Sequence, residues 1–498
     1  MATVAPQAYR NYVNGAWVDA RSGETMPSIN PATGETLGRV PKSGAEDAQA
    51  AIAAARAAFE KWRKVPAPRR AEILYRAAVE LVRQKEDLAR LMTQEMGKVL
   101  AETRGDVQEA IDMTYFIAGE GRRLHGYTTP SEMPHKAAYC LRVPVGVVGV
   151  ITPWNFPMAI PSWKIIPALL CGNTVVFKPA TDTPLVGVRF AQILNDAGLP
   201  PGVLNVVTGS GGKVGNAIVE HPDVAIISFT GSTEIGLAMA EKCARLGKRV
   251  SLEMGGKNAA IVMDDADLDL ATDALIWSAF GTSGQRCTAC SRIITQRGAR
   301  KGLTDRLVAR AKSLRLGDGL DPKTEVGPVV SQAQLESIHG YVDVGKKEGA
   351  RVLVGGAPAR EGALARGHFY APTIFDNVTP GMRVEQEEIF GPVTDIIEAK
   401  DLDDAVRILN GVQYGLSASI FTRDVNQAMR AIDDIFTGIV YVNHGTIGAE
   451  VHLPFGGTKN TGNGHREGGI QALDVFSDWK AVYIDYSGRL QRAQIDKE

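Results

Sequence analysis

With 498 residues, 44% of them hydrophobic, the chain can bury two or three cores in domains of about 100 to 200 residues each, which excludes a single small domain. Its 55 Lys and Arg against 56 Asp and Glu leave a formal net charge of −1, so no global field draws it to nucleic acid or an anionic membrane, and small-molecule chemistry is the better expectation. Five scattered cysteines are too few and too odd in number for a disulfide framework, which points to a reducing compartment.

The stretch Met1 to Asn14 has no basic start, apolar run or small-residue cleavage site, so no secretory leader is expected and a cytoplasmic location follows. Apolar runs such as Val145 to Ile151 are broken by glycine and far short of the about 18 residues a membrane span requires. After Ser43 the chain reads as helical. Ser43 and Glu46 suit a capping box, the apolar residues Ile52, Ala55, Phe59 and Trp62 recur at helical spacing, and a second helix follows Pro68.

From Arg142 the pattern changes to short β-branched runs: Val143 to Thr152, Thr174 to Lys178, Leu204 to Thr208 and Ala225 to Thr230. Each precedes a helical stretch, which is βαβ alternation and predicts a mostly parallel sheet with helices on both faces. A second set begins after Lys257, with strands at Asn258 to Met263, Arg292 to Gln296, Arg351 to Val354 and Ser417 to Phe421, separated by helical stretches such as Arg300 to Leu314. Val475 to Tyr486 alternates aromatic and β-branched residues and reads as an edge strand without a domain of its own. The fold class is α/β: two doubly wound parallel-sheet domains and a small bridging β element.

Two residues carry candidate covalent chemistry. Cys287 closes the segment Phe280-Gly281-Thr282-Ser283-Gly284-Gln285-Arg286-Cys287, and Glu253 opens Glu253-Met254-Gly255-Gly256-Lys257. A thiol can add to a carbonyl carbon, and a carboxylate can later deprotonate water. A lone cysteine is ordinarily a small buried apolar side chain. Here Gly284, Gln285 and Arg286 make a polar setting, and the neighbouring cation is expected to favour the thiolate. Cys287 and Cys290 form a single C-x-x-C with no second pair and no histidine near in sequence, so neither a metal site nor thioredoxin-like exchange is expected.

The dinucleotide fingerprint G-x-G-x-x-G is missing, because its closest string, Gly209-Ser210-Gly211-Gly212-Lys213-Val214, ends in valine. A substitute follows the strand ending at Phe229, where Thr230-Gly231-Ser232-Thr233-Glu234-Ile235-Gly236 leads into a helix. Glycine permits the tight turn, and Ser232 with free amides at a helix start can hold a phosphate.

These segments stand in order with Thr152-Pro153-Trp154-Asn155-Phe156-Pro157, Phe177-Lys178-Pro179-Ala180, Glu388-Ile389-Phe390-Gly391-Pro392 and Pro454-Phe455-Gly456-Gly457. Together they resemble the NAD(P)-dependent aldehyde dehydrogenase superfamily over nearly the whole chain. The resemblance implies a Rossmann-like dinucleotide-binding domain from 1–128 and 147–256, a catalytic domain from 257–470, and a bridging, oligomerising element from 129–146 and 471–498. It implies oxidation of an aldehyde to its acid through a thiohemiacetal and a thioester. Cys287 is then the nucleophile, Glu253 the base that hydrolyses the thioester, and Asn155 with the Cys287 N–H the oxyanion donors.

By the same resemblance Lys178 contacts the adenosine ribose, with Ala180 and Thr181 beside it, and Ser232 meets the pyrophosphate at the Gly231 turn. Glu388 grips the nicotinamide ribose with Phe390 packed beside it, and Thr152, Trp154 and Gly255 complete the cofactor site. Thr181 stands where NAD-preferring relatives often carry a glutamate, although Asp182 can restore that charge. NAD is the expected cofactor, with NADP or dual use open.

The substrate is expected to be a semialdehyde or other polar-ended aldehyde. Trp163 and Gly281 occupy positions where succinic-semialdehyde members have arginines, which disfavours a four-carbon semialdehyde. Arg286 with Glu109 is similar to the aminoadipate-semialdehyde (antiquitin) branch, where such a pair contacts the amino acid end, although Trp154 is larger than that branch's residue. Phe455 joins Trp163, Glu109 and Arg286 as a substrate candidate. The loop Gly445 to Leu453, with Glu450 and His452, and the residue His465 before Arg466 leave their roles open. The tail strand and the Tyr127 to Arg142 hairpin resemble the element by which family subunits pair, implying a homodimer or homotetramer. Two other readings stay open: a catalytically retired family member serving as a structural protein, and a CoA-acylating dehydrogenase.

Overall fold

The computed structural model describes residues 7–496, so the leader reading on residues 1–6 and the last two residues of the bridging element lie outside it. Five strands run parallel in the first sheet, in the order Arg249–Glu253, Val224–Thr230, Val147–Ile151, Thr174–Lys178, Leu204–Val206, and Asn11–Val13 with Ala16–Val18 extend it antiparallel. Val147–Ile151 and Thr174–Lys178 are buried along their whole length, because helices such as Ala45–Trp62 and Ala159–Cys171 cover the two faces and leave no strand side for water.

A second seven-stranded sheet has the order Arg351–Val354, Thr373–Asp376, Val393–Ala399, Cys290–Gln296, Asn258–Val262, Ser417–Phe421, Ile439–Val442. All its pairings are parallel except the one at Arg351–Val354. Only Met254 to Lys257 separate the last strand of the first sheet from Asn258–Val262, so Glu253 stands at a carboxyl end where the two sheets meet. Carboxyl ends of parallel strands are where α/β folds bind ligands.

The third sheet joins Tyr127–Pro130, Lys136–Pro144 and Ser477–Asp485, with the last strand at its edge. The expected strand Val143 to Thr152 is therefore two strands. Gly146, at φ +138°, turns the chain from the bridging sheet into the first sheet, a conformation an L side chain rarely adopts.

The first helix is capped differently from the sequence expectation: Gly44 is its N-cap and its N–H donates to Asp47 Oδ2 at 2.9 Å, whereas Ser43 Oγ accepts from buried Asn11 Nδ2 at 2.7 Å. A side chain needed in a core contact is not free to cap. Five short strands precede that helix. At two to six residues each they are too brief to carry a readable alternation. Among the described residues no helix is long and apolar enough to cross a membrane.

Candidate active site

Cys287 reaches the site through a strained turn. The helix Leu268–Phe280 gives way to Gly281–Gly284, where Thr282 and Ser283 both hold left-handed backbone at φ 54° and 55°. At Gly284, φ +69°, a Cβ would lie 2.0 Å from the Gly391 carbonyl oxygen, so only glycine fits. The buried Gln285 side chain donates to the Thr282 carbonyl at 3.2 Å and accepts from the Val330 N–H at 3.0 Å. The Gln285 carbonyl in turn accepts from Asn155 Nδ2 at 3.1 Å, which ties Asn155, on the loop after Val147–Ile151, to the cysteine segment.

The cysteine thiol is pushed well up, first by burial and then by the carboxyls of Glu388, Glu253 and Glu109. This corrects the expectation that Arg286 favours the thiolate. The Arg286 guanidinium is turned away into a pair with Glu102, Nη2 to Oε1 at 3.0 Å, and donates through Nε to Thr282 Oγ1 at 2.9 Å.

Glu253 is 3% exposed, and neither carboxyl oxygen has a hydrogen-bond partner among the described residues. Burial, followed by repulsion from Glu467, raises its pKa well above the ordinary carboxylate value. Glu467 forms an ion pair with Lys164, which is wholly buried in the helix Ala159–Cys171. Sequence reasoning missed this pair. Lys164 is the one charge in an otherwise apolar helix, a legible anomaly, whereas nothing local marks Glu467.

One pocket joins the two chemical groups: Cys287 and Glu253 line it together with Glu109, Trp163, Arg286 and Phe455, the four expected substrate residues. The Trp163 and Phe455 rings meet edge to face at 5.2 Å. Burial pushes Glu109 up to about 8. From the loop Gly445 to Leu453, Gly448 and Ala449 face the pocket, while Glu450 and His452 are exposed and lie 3.5 Å apart. His465 is half-buried, and burial lowers its pKa.

The cofactor candidates gather at the strand ends of the first sheet. Lys178 is 4% exposed at the end of Thr174–Lys178, is brought down to about 8 by burial, and donates to the Pro179 carbonyl at 2.7 Å. Ala180 is buried beside it, and exposed Thr181 donates to the Gly209 carbonyl at 3.3 Å. Thr152 is buried at the end of the neighbouring strand, its N–H directed to the Lys178 carbonyl. Gly231 leaves room for the Phe229 ring, which a Cβ would meet at 2.4 Å.

Ser232 caps the helix Thr233–Arg245 without a side-chain bond to it, so first-turn amides stay open to an anion. Across the cleft the Gly256 N–H holds Glu388 Oε1 at 2.9 Å, and a Cβ on Gly255 would stand 2.2 Å from Glu388 Oε2. Burial raises Glu388 to about 7. Phe390, at φ +55°, presents its ring to Trp154 at 5.3 Å, edge to face. The buried Thr230 hydroxyl, without a hydrogen-bond partner among the described residues, lies at the same turn. Open amides, a lysine and a glycine-cradled carboxylate fit the phosphates and riboses of a dinucleotide.

The sequence model described as "Aldehyde dehydrogenase family" matches residues 17–482. The α-ketoglutaric semialdehyde dehydrogenase of Bacillus subtilis is 42% identical over 486 residues, covering 97% of this chain and 100% of the relative. The NADP(+) succinate-semialdehyde dehydrogenase of Escherichia coli is 40% identical, covering 94% and 97%. Among solved structures, betaine aldehyde dehydrogenase from Staphylococcus aureus in complex with NAD+ superposes with a TM-score of 0.95 at 35% identity, covering 97% of this chain and 95% of that one.

Proposed function

The chain belongs to the aldehyde dehydrogenase family, NAD(P)-dependent oxidoreductases, and from that premise we propose that it oxidises a semialdehyde to its acid through Cys287, Glu253 and Asn155. The observation that carries this reading is the single pocket shared by Cys287 and Glu253.

Cys287 Sγ bonds to the aldehyde carbon. The Asn155 amide and the Cys287 N–H stabilise the oxygen that becomes negative, a service whose loss typically costs about 10²- to 10³-fold in rate. Three carboxyls oppose thiolate formation, so the thiol proton has to leave to solvent as the carbonyl is attacked, and Glu253 is left free for the later step. NAD(P)+, when bound, supplies the acceptor for the hydrogen and electron pair that leave the aldehyde carbon. Lys178, Thr181, Ser232 and the amides of its helix hold the adenosine and phosphate end, and Glu388, Gly255, Phe390 and Trp154 hold the nicotinamide end. Glu253 then takes a proton from water, the hydroxide adds to the thioester carbon, and Cys287 is released as the acid forms. A CoA-acylating enzyme has no need of that buried base.

Among the described residues Arg286 is the one cation lining the pocket; its guanidinium is paired with Glu102, and Glu109 lines the same pocket. A cation and a carboxyl on the pocket wall favour an aldehyde with a carboxylate or amino acid group at its far end. α-Ketoglutaric semialdehyde is the first choice, by likeness to the B. subtilis relative, and aminoadipate semialdehyde the second. NAD is favoured, with NADP also admitted by the neutral Thr181. The edge strands Ser477–Asp485 and Ile439–Val442 support a homodimer or homotetramer, since open edges otherwise invite aggregation. The balanced charge and free cysteines support a cytoplasmic location.

The test is reduction of NAD+ and NADP+ with a panel of aldehydes: α-ketoglutaric, aminoadipate and succinic semialdehydes, betaine aldehyde and hexanal, each against a Cys287→Ala control. The longer semialdehydes are expected to give the highest kcat/KM. Equal rates in control and wild type defeat the catalytic reading, and acid that appears only when CoA is added removes Glu253 as the base.

A further inference from the structure

Thr282 and Ser283 are two consecutive residues with side chains held in left-handed backbone, a conformation disfavoured for both because Cβ crowds the following carbonyl. They lie five and four residues ahead of the nucleophile, inside its supporting turn, so something must hold them there. Ser283 is tied through Oγ to the Gly327 carbonyl at 2.7 Å, an interaction outside the substrate pocket. The Thr282 N–H goes to Glu102 instead, at 2.9 Å to each carboxyl oxygen.

Glu102 lies in the first turn of the helix Leu100–Gly119, and its side chain is only 12% exposed. Besides the Thr282 N–H, it accepts from Thr282 Oγ1 at 3.3 Å and from Arg286 Nη2 at 3.0 Å, and Arg286 Nε closes the ring onto Thr282 Oγ1 at 2.9 Å. The ring therefore grips both ends of the turn, and its second end is the residue bonded to Cys287. The Arg286 guanidinium also lies over the Phe156 ring, 5.4 Å from its centroid, and Phe156 follows Asn155, whose amide donates to the Gln285 carbonyl. At Gly281 a Cβ would meet Glu102 Oε1 at 2.8 Å, so that glycine makes room for the carboxylate.

We propose that Glu102 is a positioning residue for the nucleophile: its carboxylate holds the Thr282–Ser283 turn in left-handed backbone and thereby sets where Cys287 Sγ stands relative to Asn155 and Glu253. The role rests on Cys287 being the nucleophile. Glu102 does not line the substrate pocket, so it acts through the turn and not by contact with substrate.

The experiment compares Glu102→Gln and Glu102→Ala with the same variants carrying Thr282→Gly and Ser283→Gly, reading kcat, KM for NAD+ and the rate at which iodoacetamide alkylates Cys287, resolved by peptide mass spectrometry. The single variants are expected to lose about tenfold to a hundredfold in kcat, the usual cost of a misplaced reacting group, with KM for NAD+ unchanged and the alkylation rate altered. Adding the two glycines is expected to restore much of the loss in both readouts, because glycine takes left-handed backbone without steric cost. A residue that merely stabilised the fold would fare worse with two glycines added. If Glu102→Ala does not fold, the comparison is made on Glu102→Gln. Wild-type kcat and alkylation in both single variants overturn the proposal, as do glycines that deepen the loss. Alkylation does not depend on aldehyde oxidation: a protein that oxidises no aldehyde fails the dehydrogenase reading, and its alkylation rates still judge Glu102.

Discussion

At the scale of the residue, the chemistry depends on carboxyls kept from water. Glu253 works as a base only when ionised, and its burial together with Glu467 shifts ionisation to higher pH than an exposed carboxyl needs. Where thioester hydrolysis limits turnover, kcat is expected to climb with pH through that raised pKa and then level off. Glu253→Gln should lose about 10²- to 10⁴-fold in kcat, abolish that climb, and leave the first turnover of NADH formation visible in a stopped-flow trace. A profile of unchanged shape in Glu253→Gln would assign the base to another group. Its neighbour Lys164 is held by Glu467, so a charge in an apolar helix and a carboxylate 303 positions away form one buried pair beside Glu253.

At the scale of the element, the turns after the strands decide what each strand end can hold. Gly255 lies between Glu253 and the Gly256 amide that binds Glu388, and its missing Cβ is the space the Glu388 carboxyl occupies. Because Oε2 is the end of a flexible side chain, Gly255→Ala is expected to swing Glu388 aside without unfolding the domain. KM for NAD+ should rise about tenfold or more, roughly the 1.4 kcal/mol of one lost charge-assisted hydrogen bond, while alkylation of Cys287 stays at the wild-type rate. A change in alkylation with unaltered KM would place Glu388 outside cofactor binding. Gly284 is a different case, since the atom its Cβ would strike is the Gly391 backbone oxygen, which cannot move aside as easily.

At the scale of the whole molecule, two seven-stranded sheets share a short connection, Met254 to Lys257, and the candidate active site occupies the seam. The bridging sheet stands apart from both cores and offers Trp479, Tyr483 and Ile484 to solvent on an edge strand. Light scattering is expected to give a mass of two or four times 53.3 kDa, and removal of the last strand should yield monomers or aggregates. A full-length monomer at micromolar concentration would leave that sheet without the role proposed for it.

The alternation of β-branched runs with helical stretches was readable in the sequence because burial against a sheet or a helix is written in local periods of two and 3.6 residues. Cys287 and Glu253 could be singled out there as candidates, as could the glycines of the Gly231, Gly255 and Gly284 turns, since a reactive group or a missing Cβ is a property of one position. What the tertiary structure alone decided was partnership. Arg286 turns from Cys287 to Glu102, Glu109 enters the pocket, Lys164 finds Glu467, and the run from Val143 divides between two sheets at Gly146. Each of those outcomes joins segments far apart in the chain, where the choice among several charges or strand edges is made by how the sheets and their helices pack, and no local pattern encodes that distance.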